Sequence, residues 1–405
     1  MRTLIRGGTA IDTDPISVRA ADVLVEDDRI AAVGPDLPVP TDATTDTTTI
    51  DATGMLVLPG FVDTHRHTWQ AGIRATGADV DFAGYLDLVL NRLAPRYRPD
   101  DVYAGTLAGA LECLDAGITT VVDWSHIQHT PDHTAAAVTA LRDSGVRAVF
   151  GYCSPEPDAR VLAAQPLGGL VTAAMAPFGP EIVGEEAALA EWRVARELDL
   201  PVTVHMGGYG EESADRGLEF LTRHGLFGPR TMYVHGNHFT DDALRRIADS
   251  GGTISASPVV EVALGFGRPV TDRALAAGVP TGLGADTVVS GPGDMFSLMR
   301  ATHGHALSTR DALRAATVDG ARVAGLDVGT LGAGRPADLV LLRTDLLGMA
   351  PANDPVGAIV LSADTRAVDT VLVAGKVVKR NGTLTEHMVS AVLAALTESA
   401  ARILS

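Results

Sequence analysis

The feature that most constrains this chain is a rhythm. From about residue 56 to residue 345, short β-branched or apolar runs alternate with Ala-, Leu- and Arg-rich segments of helical character, many of them closing at a glycine. The strand candidates are "MLVLPGFVDTH", "GITTVVDWS", "VRAVFGYC", "LVTAAMAPF", "LPVTVHMGG", "TMYVHGN", "GGTISASP" and "VPTGLGADT", eight in all. Eight alternating β/α units predict an α/β protein built on a parallel (β/α)8 TIM-type barrel, whose usual span of about 250 residues this stretch accommodates.

The flanks read differently. Residues 1–55 carry short strands with turns, "TLIRGGTAI" and "ADVLVEDDRIAAVG", followed by the Thr/Asp-rich "TDATTDTTTID". Strand and hairpin character returns late in "ADLVLLR" and "VDTVLVAGKVVKRNG", and "EHMVSAVLAALTESAARILS" has the pattern of an amphipathic helix. These runs predict a small β-sandwich domain assembled from residues 1–55 and 346–405, with the barrel occupying 56–345.

Composition limits the partners and the chemistry. A formal charge of −18, from 32 basic and 50 acidic residues, argues against nucleic acid and anionic membranes, which demand clustered cations. No apolar run approaches the roughly 18 residues of a membrane span, and "MRTLIRGGTAIDTDP" is too short in apolar residues for a secretory signal, so a cytoplasmic location is expected. Cys113 and Cys153 are the only cysteines, too few for a disulfide framework or a cysteine-based zinc site. Any metal must therefore be held by histidine and carboxylate. Lys376 and Lys379 are the only lysines, which removes lysine chemistry from the barrel.

Against that frame the histidines acquire addresses. His65 and His67 end the first barrel strand, and residues two apart on a strand share a face, so both imidazoles enter the barrel mouth while Arg66 points away. His205 ends the fifth strand, His235 the sixth and Asp286 the eighth, at the carboxyl ends where barrel enzymes collect their reactive groups. Three imidazoles and a carboxylate converging on one mouth suit zinc or ferrous iron with one position left for water. The pair His303 and His305 has the same spacing but lies in the segment after the eighth strand and reads as structural.

With "HRH" on the first strand, the histidines of the fifth and sixth, the aspartate of the eighth and the late "ALRAATVDGARVAGLDVGTLGAGRPADLVLL", the chain resembles the amidohydrolase superfamily. More narrowly it resembles the cytosine deaminase and chlorohydrolase branch, which includes deaminases of adenosine-type and guanine-type substrates and triazine hydrolases. The resemblance implies one divalent metal ion, zinc favoured over iron, held by His65, His67, His205 and Asp286, with His235 touching the substrate or the reacting water. Two departures stand out. The lysine that bridges two metals in binuclear members is absent from "LVTAAMAPFGPE", which implies a single metal, and Gly208 stands where many deaminases carry a glutamate three residues after the fifth-strand histidine. Glu211 and Glu212 follow on the same loop as candidate substitutes.

The expected reaction is hydrolysis of a non-peptide C–N bond in a small cyclic amine, amidine or aminated heterocycle, the metal activating water, Asp286 carrying the proton and His235 stabilising the developing charge. Cyclic amide or imine hydrolysis uses the same groups without a ring-protonating acid. A barrel that binds metal or ligand without catalysis is the non-enzymatic alternative, and the H-x-E and P-C-x-x-C signature of nucleic-acid deaminases is absent. Trp69, Gln70, His126, His238 and Glu261 are further candidates for substrate contact. The expected partners are a small-molecule substrate and a second copy of the chain in a homodimer.

Overall fold

The computed structural model describes residues 2–40, 47–305, 307–385 and 388–405. The first six residues of the "TDATTDTTTID" stretch and the first two of the carboxyl-terminal helix candidate lie outside the described residues.

Eight strands form one parallel sheet in chain order: Phe61–Arg66, Ile118–Ser125, Arg147–Tyr152, Val171–Met175, Val202–Met206, Thr231–His235, Thr253–Ala256 and Thr281–Leu283. Every residue of the first, second, fifth and sixth strands is buried, as a parallel sheet covered by helices requires. Between the eighth strand and the first the sheet closes through a parallel bridge of Arg66 with Asp286: the Asp286 amide donates to the His65 carbonyl at 2.8 Å, and the His67 amide donates to the Asp286 carbonyl at 2.8 Å. The fold is thus the (β/α)8 barrel.

The connecting helices begin and end on local signals. Thr240 accepts a hydrogen bond from the Ala243 amide to cap the helix Asp241–Ser250, which stops at Gly251 with φ of 75°. Helix Pro131–Ser144 opens on proline and stops at Gly145 in the same left-handed conformation.

A second sheet gathers nine strands from both ends of the chain, most of them antiparallel. Strand Arg2–Thr13 pairs with Ile16–Glu26, and Leu339–Arg343 pairs with both Met55–Pro59 and Val368–Val373. Ile5, Val23, Val57, Leu339 and Leu372 belong to its fully buried core. The single apolar run "MLVLPGFVDTH" therefore divides: Met55–Pro59 joins this sheet and Phe61–Arg66 joins the barrel. Gly60 separates them at a point where a Cβ would fall 2.1 Å from the Thr119 side chain.

By density of contacts the chain forms two compact units, Met1–Val62 with Cys113–Thr120 and Asp294–His387, and Asp63–Glu112 with Val121–Gly293 and Met388–Ser405. All the candidate site residues belong to the second. So does the last helix, Val389–Leu404, whose Ser399 hydroxyl donates to Asp101 at 2.7 Å and whose Arg402 pairs with the same carboxylate. No helix among the described residues is long and apolar enough to cross a membrane.

Candidate active site

Five side chains from four strand ends meet at the barrel mouth. His65 Nε2 lies 3.2 Å from His205 Nε2 and 3.4 Å from Asp286 Oδ1. His67 Nε2 is 3.2 Å from the same oxygen, and His235 Nε2 is 3.9 Å from Oδ2. Potential ligand atoms of His65, His67 and His205, and of His65, His235 and Asp286, fall into groups whose members all lie within 4.8 Å of one another.

The surrounding bonds decide which ring nitrogen faces inward. His67 Nδ1–H donates to the Trp124 carbonyl at 2.6 Å, which leaves its Nε2 with a lone pair toward the mouth, and His235 Nδ1–H donates to Glu261 Oε1 at 3.2 Å, which turns its Nε2 to the mouth. Burial drives His65 down to about 4, against the opposing pull of Asp286, and holds His205 well below the usual histidine range. The imidazoles of His65, His67 and His205 beside a carboxylate are the donor set of a zinc-type ion, so the residues fit a divalent metal. Burial pushes Asp286 up, but the surrounding imidazoles of His65, His67 and His235 outweigh it and hold the carboxyl well below the usual carboxylate range. The same balance favours protonated His235: burial opposes it, and the Glu261 hydrogen bond with the charges of Asp286, Glu261 and Glu181 prevails.

Two of these residues hold backbone conformations that side chains rarely take. His235 has φ of 80° and Asp286 has φ of 58°, both in the left-handed region. Each costs about 1–3 kcal/mol, and both fall where the chain leaves the barrel to present a side chain to the mouth. Beneath the site, Asp63 accepts from the amides of His65 at 3.2 Å and Ala285 at 3.1 Å, so one buried carboxylate ties the first strand to the residue before Asp286. Burial raises Asp63 to about 6. Arg66 points away from the mouth, donating to the Gly293 carbonyl at 2.8 Å and pairing with Asp63 and Glu112.

The other candidates separate cleanly. His126 lines the mouth, its ring centroid 4.2 Å from that of His67, and His238 lines the outer cavity. Glu261 sits behind His235 with no exposed surface; its oxygens accept from the Ser257 amide at 2.7 Å, from His235 and from Asn237 at 3.2 Å. Trp69 is fully buried against Tyr97, ring centroids 4.9 Å apart, and Gln70 donates to the Tyr85 hydroxyl at 2.8 Å; neither lines the cavity. Glu211 and Glu212 open the helix Glu211–Arg223 with exposed side chains, Glu212 pairing with Arg216 at 2.9 Å. His303 is turned to the Leu307 carbonyl at 2.7 Å.

Several lining groups escape sequence reasoning. Phe82, Phe178 and Phe266 form aromatic walls, and Tyr209 and Glu181 supply polar groups. The one signal for Tyr209 is its place in "HMGGYG", a tyrosine among glycines directly after a strand-end histidine.

A parallel barrel with a histidine and carboxylate cluster at the carboxyl ends of its strands forms a site built to hold a divalent ion that can activate water. The chain belongs to the amidohydrolase family, whose model matches residues 56–378. It is 30% identical over 412 residues to a 5'-deoxyadenosine deaminase of Methanothermobacter thermautotrophicus, covering 94% of each chain. It is 27% identical over 414 residues to a 5-methylthioadenosine/S-adenosylhomocysteine deaminase of Pyrococcus furiosus, with 94% and 95% covered. Among solved structures it resembles an atrazine chlorohydrolase of Arthrobacter aurescens bound to zinc and atraton, with a TM-score of 0.87, 26% identity and 98% and 100% of the chains covered. A zinc-bound adenosine deaminase of Xanthomonas campestris matches with a TM-score of 0.87 and 25% identity over 99% and 98%. The chain is a metal-dependent hydrolase of the carbon–nitrogen class.

Proposed function

We propose that this enzyme is a mononuclear aminohydrolase that removes an amino group from a small aminated heterocycle, using one zinc ion held by His65, His67, His205 and Asp286. The observation that carries the reading is the meeting of these side chains at one point: His65 and His67 Nε2 lie 3.4 and 3.2 Å from Asp286 Oδ1, and His205 Nε2 lies 3.2 Å from His65 Nε2. The absence of lysine from the barrel supports one ion rather than two. When bound, the ion supplies Lewis acidity and an activated water near neutral pH.

The protein's own groups do the rest. Asp286 accepts the proton that the attacking water sheds and passes it to the departing nitrogen, a role its neighbours prepare by holding it ionised in the resting site. His235 donates from Nε2 to the side of the substrate where negative charge collects, and Glu261 fixes its orientation from behind. The aromatic side chains of Phe82, Phe178 and Phe266 line the approach to both groups. A second reading, hydrolysis of a cyclic amide or imine, is favoured by Gly208: such substrates are already activated and need no acid beside the attacked carbon.

The test is Asp286→Asn, which keeps shape and partial coordinating ability but cannot carry a proton. Turnover of aminopurines, aminotriazines or cyclic amides should fall by about 10²–10⁴-fold with metal in excess. Undiminished turnover would remove Asp286 from proton transfer, and a panel answered only by cyclic amides and imines would establish the second reading.

A further inference from the structure

The cavity over the site has two parts. An inner chamber of about 50 Å³ is lined by His67, His205, His235 and Asp286, and an outer chamber of about 590 Å³ extends from it. The two share Phe82, Leu86, Leu90, Phe178, Ile182, Tyr209, Leu264 and Phe266, so they are continuous. Within that shared girdle Tyr209 is the only residue with a polar side chain.

Its position is built. The Tyr209 ring stacks on Phe82 with centroids 4.9 Å apart and planes inclined by 25°, and meets the Phe266 ring edge-on at 5.8 Å. Gly208 precedes it, and the space beside His235 and Phe266 that a side chain there would occupy is left open. Burial, and then the charges of Glu181, Asp286 and Tyr85, raise the hydroxyl well above the usual tyrosine range, so it remains a neutral O–H donor at any working pH. Neither chamber is lined by a lysine or arginine among the described residues.

We propose that the Tyr209 hydroxyl is a substrate-contacting donor at the junction of the two chambers, hydrogen-bonding an acceptor nitrogen of a heterocycle whose reacting edge enters the inner chamber and whose apolar substituent fills the outer one. The proposal rests on the aminohydrolase reading and narrows its substrates to heterocycles with an apolar arm and no anionic group. As the attacked carbon becomes tetrahedral, electron density moves onto the ring nitrogen, and a donor already facing that atom binds it more strongly. The tyrosine proton stays on oxygen throughout, so this bond polarises the ring without protonating it.

The experiment uses Tyr209→Phe, which keeps the stacked ring and removes only the hydroxyl. Release of ammonia or alkylamine is measured for metal-loaded wild type and variant on a panel of ring-N-alkylated aminopurines and alkylamino-triazines, with 5'-deoxyadenosine and adenosine monophosphate alongside. We expect wild type to favour alkylated substrates and to reject the phosphate, and Tyr209→Phe to lower kcat on the best substrate about tenfold to a hundredfold with little change in KM. The loss should disappear on the analogue of that substrate in which the contacted ring nitrogen is replaced by C–H, a coupling that a merely structural role would not produce. Retention of kcat within twofold, or a loss that is the same on every ring analogue, overturns the role of Tyr209 while leaving the aminohydrolase reading intact. A preference for the phosphate overturns the substrate class. No turnover of any panel member by wild type overturns the aminohydrolase reading and this inference with it.

Discussion

Gly208→Glu should convert this enzyme toward faster deamination of aminopurines. The nearest atoms to a Cβ at Gly208 would be those of the His235 side chain, at 3.6 and 3.7 Å, and Phe266 at 3.7 Å, all ordinary contacts, and the backbone there is not left-handed. The neighbouring Gly207 makes the contrast: its φ is +75° and a Cβ would lie 2.8 Å from the Gly236 backbone. Gly208→Ala should therefore fold normally and gain about 0.4–1 kcal/mol by restricting the unfolded chain. The longer carboxyl of Gly208→Glu would enter the site beside His235, where it can protonate a ring nitrogen next to the attacked carbon. General acid help of that kind is worth about 10²–10⁴-fold, equivalent to about 3–5 kcal/mol of barrier. The assay is kcat/KM for ammonia release from aminopurines by wild type, Gly208→Ala, Gly208→Gln and Gly208→Glu, each with its metal content and melting temperature. Gly208→Gln has the same reach without a proton to give and should show no gain. A folded, metal-loaded Gly208→Glu no faster than Gly208→Gln would refute the view that a missing acid limits ring deamination here.

Purified protein should carry about one transition-metal ion per chain. Removing His65 and His67 together should abolish it, whereas His303→Ala with His305→Ala should leave metal analysis unchanged; full retention in the first variant would sink the site. Arg66→Ala strands the buried Asp63 and should lower stability by about 3–5 kcal/mol in urea unfolding; a loss under 1 kcal/mol would contradict the burial argument. Glu191, whose oxygens hold the Phe178 and Gly179 amides at 2.8 and 3.2 Å, is raised by burial from 4.5 to about 7. The folded state thus retains a proton that the unfolded state loses between about pH 4.5 and 7, and the wild type should lose up to about 3 kcal/mol relative to Glu191→Gln as pH rises through that window. The offset from the altered amide contacts is constant with pH, so parallel urea midpoints at pH 4.5 and pH 7.5 would contradict the shift.

What the sequence determined by itself is the frame: the alternation that makes a barrel, and the positions of His65, His67, His205, His235 and Asp286 at strand ends. Both follow from local order. The run of apolar residues that makes a strand also sets where it stops, and a barrel sends its carboxyl ends to one mouth whatever its loops do. Even so, "MLVLPGFVDTH" divides between two sheets at Gly60, where the close approach of Thr119, nearly sixty positions away, leaves no room for a side chain, and periodicity cannot see either. The same limit governs the rest of the pocket. Trp69 and Gln70 follow the histidine pair in sequence yet turn into packing against Tyr97 and Tyr85, while Glu211 and Glu212, two and three positions beyond Tyr209, begin a helix and point to solvent. Glu261, which the sequence offers as a candidate for substrate contact, lies behind His235 with no exposed surface. Only tertiary structure decided these outcomes, because a loop side chain faces the cavity or the core according to which distant surface is there to receive it, and that surface is written in other parts of the chain.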